Sequence, residues 1–280
     1  MTAPATRAKT APEGRAAPSE PVVVIDDLHI VYRSGLPRPT TGGAPATLMG
    51  LLAGRRRTAV REVHAVRGIS LIVRRGETVG VIGANGSGKS SLLRAIAGSQ
   101  PPEHGLVYTR GRSALLGVDP GLMSDLSGER NIVLGCLAMG LTRQQVREKF
   151  DEVVEFADLG EAVDRPLRTY STGMTQRLRF AITTVIPHDV LLIDEALATG
   201  DAAFRRRSAE RLAGLRAKAG CVLLVSHSLS AIEESCNRAI WLEDGRIRRD
   251  GRPAEVLADY RGDAPPPATK DPSPGAGGAP

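Results

Sequence analysis

Gly83-Ala84-Asn85-Gly86-Ser87-Gly88-Lys89-Ser90 carries the spacing Gly, four residues, Gly-Lys-Ser, and those residue types at that spacing handle phosphate. Glycines let successive backbone N–H groups close around phosphate oxygens, and a helix N-terminus adds positive potential. Lys89 would reach the β- and γ-phosphates of a nucleotide, and the Ser90 hydroxyl can ligate Mg²⁺. About one domain further on, Val190-Leu191-Leu192-Ile193-Asp194-Glu195 ends an apolar run in two carboxylates. Asp194 is suited to hold hydrated Mg²⁺, which leaves Glu195 to orient or deprotonate an attacking water. Together the two stretches predict a chain that binds and hydrolyses a nucleoside triphosphate.

Three further features are weaker when each stands alone. Tyr170-Ser171-Thr172-Gly173-Met174-Thr175-Gln176-Arg177-Leu178 is a small polar turn opening a helix; its free N–H groups would suit an anion, and by itself it reads as an N-cap. His227 follows the apolar run Cys221-Val222-Leu223-Leu224-Val225, at a strand's C-terminal end, where ligands gather in open α/β sheets. Tyr32 closes a strand-like run and, taken alone, is an edge-strand aromatic.

These groups need elements to hold them. Thr78-Val79-Gly80-Val81-Ile82 reads as a strand feeding the glycine loop, and Ser91-Leu92-Leu93-Arg94-Ala95-Ile96 as the helix after it. Val22-Val23-Val24-Ile25 and Leu28-His29-Ile30-Val31-Tyr32 are strand material. The pattern resumes at Gly68-Ile69 through Leu71-Ile72-Val73, after a Gly/Pro-interrupted, arginine-containing insert. Thr142 with Gln145 forms a capping-box pattern, and Val146, Phe150, Val153, Val154 and Ala157 then repeat at helical spacing. A helical subdomain is therefore expected over about residues 120–185, inside an α/β layered domain spanning 22–262. Residues 1–21 and 263–280, rich in Ala, Pro and Gly without periodicity, are expected to be disordered tails.

Composition narrows the function classes. A net charge of +6 comes with arginines that are dispersed except for Arg55-Arg56-Arg57, Arg205-Arg206-Arg207 and the group Arg246, Arg248, Arg249, and with only 3% aromatic residues, too few for base-stacking platforms, so nucleic acid is not the expected partner. No apolar run approaches the roughly 18 to 20 residues of a membrane span. The first 20 residues lack the apolar core of a secretory signal, which points to the cytoplasm. Cys136, Cys221 and Cys236 are odd in number and lack metal-ligand spacing; they read as reduced, packing-type thiols.

The order of glycine loop, helical segment, Tyr170-Ser171-Thr172-Gly173-Met174, Asp194-Glu195 and Val225-Ser226-His227 resembles the ATP-binding subunit of ABC transporters over about residues 22–262. The resemblance implies a P-loop NTPase core of the ABC ATPase type, α/β with a mixed sheet and an inserted helical subdomain, and ATP with Mg²⁺ as cofactors. It places Gly83, Ala84, Asn85, Gly86, Ser87, Gly88, Lys89, Ser90 and Ser91 around the phosphates, Tyr32 against adenine, and His227 beside Lys89 and Glu195 in the catalytic group. By the same resemblance Ser171, Thr172 and Gly173 form a signature motif that closes on the γ-phosphate held by a second copy, in a head-to-tail homodimer. There are two departures. Ala114-Leu115-Leu116-Gly117-Val118-Asp119-Pro120-Gly121-Leu122-Met123 contains no glutamine where most members carry one, and Asp119 has no assigned role. Ala196-Leu197-Ala198-Thr199-Gly200-Asp201 replaces a shorter loop, leaving Asp201 as the nearest match to the aspartate that communicates across the dimer.

Those departures, together with Leu126-Ser127-Gly128-Glu129-Arg130-Asn131-Ile132, look like the ATPase subunits of bacterial polysaccharide exporters. That implies export of a cell-surface polysaccharide or polyol-phosphate polymer through a separate integral membrane permease, with this chain peripheral on the cytoplasmic face of the plasma membrane. Leu48-Met49-Gly50-Leu51-Leu52-Ala53-Gly54-Arg55-Arg56-Arg57 has the apolar-then-basic character of a membrane-interface segment. With about 18 residues after Gly262, no direct glycan-binding domain is expected. Exporters of drugs or other lipid-linked cargo are the alternative within the class. A non-transport ABC ATPase would normally show tandem domains or a long coiled coil, and a phosphate-loop kinase would lack the signature stretch and His227.

Overall fold

The computed structural model describes residues 19–34, 61–116, 121–194, 201–226 and 228–263. Residues 1–18, the insert bearing Leu48 to Arg57, Asp119, Glu195, His227 and the last 17 residues lie outside the described ones.

The chain opens with a long antiparallel pair, β1 (Pro21–Ser34) and β2 (Arg61–Arg74). The sequence suggests two short runs in the first and a start near Gly68 in the second; both differences come from bulges. Asp27 takes φ 45° and Gly68 φ 71°, so each strand continues through a local kink that breaks the alternation without ending the pairing. The Ser70 hydroxyl accepts the Asp27 N–H at 3.0 Å and satisfies the backbone at the bulge.

Next come β3 (Thr78–Ile82), α1 (Lys89–Ile96), β4 (His104–Thr109) and β5 (Ser113–Leu116). β4 pairs with the free side of β1, giving a three-stranded sheet of order β2-β1-β4. The helical stretch follows as α2 (Gly128–Ala138), α3 (Arg143–Ala157), two short 3₁₀ turns and α4 (Thr172–Thr183). The remainder runs β6 (Val190–Asp194), α5 (Ala202–Lys218), β7 (Cys221–Val225), α6 (Leu229–Ser235), β8 (Arg238–Glu243), β9 (Arg246–Gly251) and α7 (Pro253–Asp263).

The second sheet has the order β5-β6-β7-β3-β8-β9. Its pairings are parallel except β8 with β9, so it is mixed, and the α/β fold class expected from sequence stands. The buried strands are near-continuous apolar runs, as strands covered on both faces should be. From β3 the chain travels to the β5 edge, returns through β6 and β7, and then passes to the other side of β3. Such a reversal opens a crevice at the strands' C-terminal ends, where the glycine loop lies.

Of the four apolar clusters among the described residues, the two largest organise these elements. Val23, Ile30, Val66, Val79, Val81 and Leu92 lie in the larger, between the two sheets and α1. Ile132, Val146, Val153, Leu178 and Ile182 build a second among α2, α3 and α4. The capping box at Thr142 and Gln145 is present in both directions, with N···O distances of 3.3 and 2.9 Å. Asn131 fixes the entry to α2: its side chain accepts the Met123 N–H at 2.7 Å and donates toward the carbonyls of Met123, Leu126 and Ser127.

Candidate functional site

The glycines of the loop have distinct physical reasons. Gly83 (φ 145°) and Gly88 (φ 102°) sit in left-handed backbone, and an added Cβ would fall 2.2 Å from the Leu242 carbonyl oxygen and 2.4 Å from that of Ala65 respectively. The loop is thus pressed between a strand of each sheet, with no room for a side chain. A Cβ on Gly86 would meet nothing within 4 Å, and only its φ of 83° calls for glycine. This is the open wall of the cradle.

Lys89 is 7% exposed, and its ammonium donates to the carbonyls of Gly83 at 2.7 Å and Ala84 at 2.8 Å. Burial pushes its pKa down, opposed by the nearby Asp194 charge. The Ser90 hydroxyl donates to Asp194 at 3.1 Å, so the two residues expected to share a metal ion already meet, although they are 104 positions apart in sequence. Tyr32 packs its ring partly against the larger core, and its hydroxyl lies 3.2 Å from that of Ser91. A cleft of about 310 Å³ runs past Tyr32, Val63, Gly86, Lys89, Ser90 and Asp194.

These residues fit a magnesium nucleotide. A serine hydroxyl beside one carboxylate is a hard-oxygen donor pair, suited to an ion that keeps waters and takes its other ligands from phosphates. Ser87 Oγ, in the same loop, is buried with no hydrogen-bond partner among the described residues. Among those residues no cluster of three His, Cys, Asp or Glu could hold a metal by itself.

The signature residues are placed elsewhere. Ser171 caps α4, its hydroxyl accepting the Met174 N–H at 3.2 Å. The described lining of the cleft includes none of Ser171, Thr172, Gly173 or Asp201. Gly173 is the informative one, because a Cβ there would find its nearest neighbour, Ser171 Oγ, at 3.9 Å, and its φ is not positive. Nothing within the described chain requires glycine at that point. Asp201 caps α5, with its carboxylate accepting the Phe204 N–H at 2.8 Å; that bond foremost holds its pKa below the usual carboxylate range.

The family model described as "ABC transporter" matches residues 66–198, from β2 past the acidic end of β6. The O-antigen export system ATP-binding protein RfbB of Klebsiella pneumoniae is 37% identical over 218 residues, covering 78% of this chain and 86% of the relative. This chain belongs to the ABC transporter family. Two longer family members are similar as well. RfbB of Myxococcus xanthus is 39% identical over 85% of this chain, and the teichoic acids export ATP-binding protein TagH of Bacillus cereus is 42% identical over 71%. The chain spans 55% and 36% of their respective lengths. Among solved structures, the ATP-binding subunit of an ABC transporter superposes with a TM-score of 0.62 at 22% identity, over 86% of this chain and 93% of its own. A dimeric ATP-binding cassette bound to ADP and Pi gives 0.59 at 19%, over 82% and 98%. Both likenesses speak to the fold.

Some residues of this ABC transporter chain escaped the sequence reading. The carbonyls of Ala65 and Leu242 back the glycine loop, and no side-chain pattern advertises a backbone acceptor. Asn131 had a signal, a polar residue on a helix face that is otherwise apolar, and it is only 1% exposed.

Proposed function

We propose that this chain is the ATP-binding and ATP-hydrolysing subunit of an exporter of cell-surface polysaccharide or polyol-phosphate polymer, working as a head-to-tail homodimer beneath a separate membrane permease. The observation that carries the reading is the convergence of the glycine cradle, the buried Lys89 ammonium and the Ser90–Asp194 pair at one cleft. The export systems named for its relatives supply the cargo class.

In this reading the loop N–H groups and Lys89 grip the β- and γ-phosphates, with Tyr32 beside the base. Ser90 and Asp194 would hold Mg²⁺, which would supply charge neutralisation for phosphoryl transfer. Glu195 follows Asp194 directly and orients or deprotonates the water; His227 hydrogen-bonds the γ-phosphate. Ser171, Thr172 and Gly173 meet the nucleotide held by the other copy, and the absence of a Cβ at Gly173 leaves room for a phosphate oxygen to approach. Asp201 communicates across the dimer. No helix of the described residues is long and apolar enough to cross a membrane; the permease provides the span, and the chain works at its cytoplasmic face.

Deleting the gene and complementing with wild type or Lys89→Ala tests the reading. Surface polymer should return only with the wild type, while the intracellular lipid-linked precursor accumulates otherwise. Normal surface polymer in the deletion strain would reject the cargo class.

A further inference from the structure

Helix α5 packs against two neighbours along its length. Leu212 and Leu215 pack against Leu191 and Ile193 of β6, the strand that ends in Asp194. Nearer its N-terminal end, Phe204 meets Phe180 of α4 and Phe156 of α3 edge-on, at 5.9 and 5.6 Å between ring centroids. Further along, Arg211 lies 4.2 Å above the Phe156 ring and pairs with Glu152 of α3 at 2.7 Å. A single rigid helix therefore touches both the nucleotide-side sheet and the lobe that carries Ser171 and Gly173.

Arg177 stands at the head of this seam. It lies on α4, about one and a half turns after the Ser171 cap. Its side chain is only 18% exposed, although both of its partners are surface carboxylates. One nitrogen, Nη1, reaches Asp158 at 3.0 Å and Asp201 at 4.0 Å. Asp158 is the left-handed C-cap of α3, where a cation also complements the helix dipole. Asp201 is the N-cap of α5. Two helix ends, the C-terminus of α3 and the N-terminus of α5, thus converge on one guanidinium of α4, which lies three residues before Phe180 of the Phe180–Phe204 contact.

We propose that Arg177 is a positioning residue for ATP turnover: it sets the N-terminal turn of α4, with Ser171 and Gly173, against Asp201 and the start of α5, without touching a nucleotide held at Lys89. This rests on the reading that Gly173 meets the other copy's nucleotide. Pairs with exposed carboxylates contribute little to global stability, so the value of the contact is geometric; a misplacement of about 1 Å in a reacting constellation can cost about a hundredfold in rate.

The test uses the full chain with Arg177→Gln, Arg177→Lys and, as a control, Gly173→Asp. For Arg177→Gln, nucleotide affinity at dilution and melting temperature should stay near wild type. Dimerisation with a non-hydrolysable ATP analogue should weaken, and kcat should fall about tenfold or more. Arg177→Lys should recover most of both, because both contacts come from one nitrogen and an ammonium can supply them. Normal kcat and dimerisation in Arg177→Gln, with Gly173→Asp defective, would overturn the proposal and leave the dimer reading standing. Normal behaviour in Gly173→Asp as well would remove the reading beneath it. Equal losses in the Lys and Gln variants, tracked by a falling melting temperature, would make Arg177 a packing residue and also overturn the proposal.

Discussion

Lys89 shows how a buried cation waits for an anion. Its ammonium is satisfied by two carbonyls of its own loop, so an arriving phosphate meets a charge already desolvated and aimed. Charge-assisted bonds contribute about 1.5–3 kcal/mol each, and Lys89→Ala should weaken ATP binding on the order of a hundredfold or more by calorimetry. Glu195→Gln should do the opposite, keeping binding while turnover falls about 10²- to 10⁴-fold; near-normal hydrolysis by that variant would mean another group handles the water. Gly173→Asp separates fold from function. The added side chain has open space, and a carboxylate in the first turn of a helix is favoured by the dipole. Its melting temperature should therefore equal or exceed wild type, while ATP-dependent dimerisation, followed by sedimentation, is lost to repulsion with a phosphate.

Among the elements, what the sequence discloses depends on whether the stabilising partner is local. The α3 capping box involves residues three apart and was legible, as were β3 and β6, whose apolar runs lead into the glycine loop and the acidic pair. The continuity of β1 and β2 was not, because their bulges at Asp27 and Gly68 mimic strand ends and only cross-strand pairing shows that the strands continue. The Ser90–Asp194 contact followed from matching two distant motifs, whereas the Ala65 and Leu242 carbonyls behind the loop had no sequence signature. Asn131 offers an element-scale test. Replacing it with alanine leaves the Met123 N–H without its acceptor and takes one donor from three carbonyls that each keep a backbone partner, which should cost on the order of 1–3 kcal/mol in denaturant unfolding. A loss under about 0.5 kcal/mol would show that the turn before α2 holds itself. The thiols report at the same scale: burial pushes Cys221 up to about 12 and Cys136 and Cys236 to about 11, from 9.0. Because the folded values are raised, the associated stability is complete below pH 9.0 and lost as pH rises from there through 11 to 12. Near pH 8 the native chain should resist iodoacetamide that alkylates the unfolded chain.

At the scale of the molecule, the proposed reading divides the site into two halves that do not share the cleft of one copy. Lys89, Ser90 and Asp194 line the cleft, and Ser171 to Gly173 lie on the lobe capped by α4. On that proposal a complete site needs two copies, so the specific ATPase activity of the purified chain should rise with protein concentration and level off. Activity per molecule that stays constant on dilution to a monomer by sedimentation would count against a shared site.

The glycine loop also ties the two sheets together. A carbonyl from β2 and one from β8 close on it from opposite sides, and Gly245 joins the arrangement by accepting from Arg67 and donating to Ser87. A loop held in that way cannot loosen while the sheets stay packed, so the nucleotide cradle and the larger core should melt as one cooperative unit. Thermal denaturation then becomes a binding assay for this protein: a nucleotide at a hundred times its Kd would add about 2.7 kcal/mol to the stability of the entire α/β core.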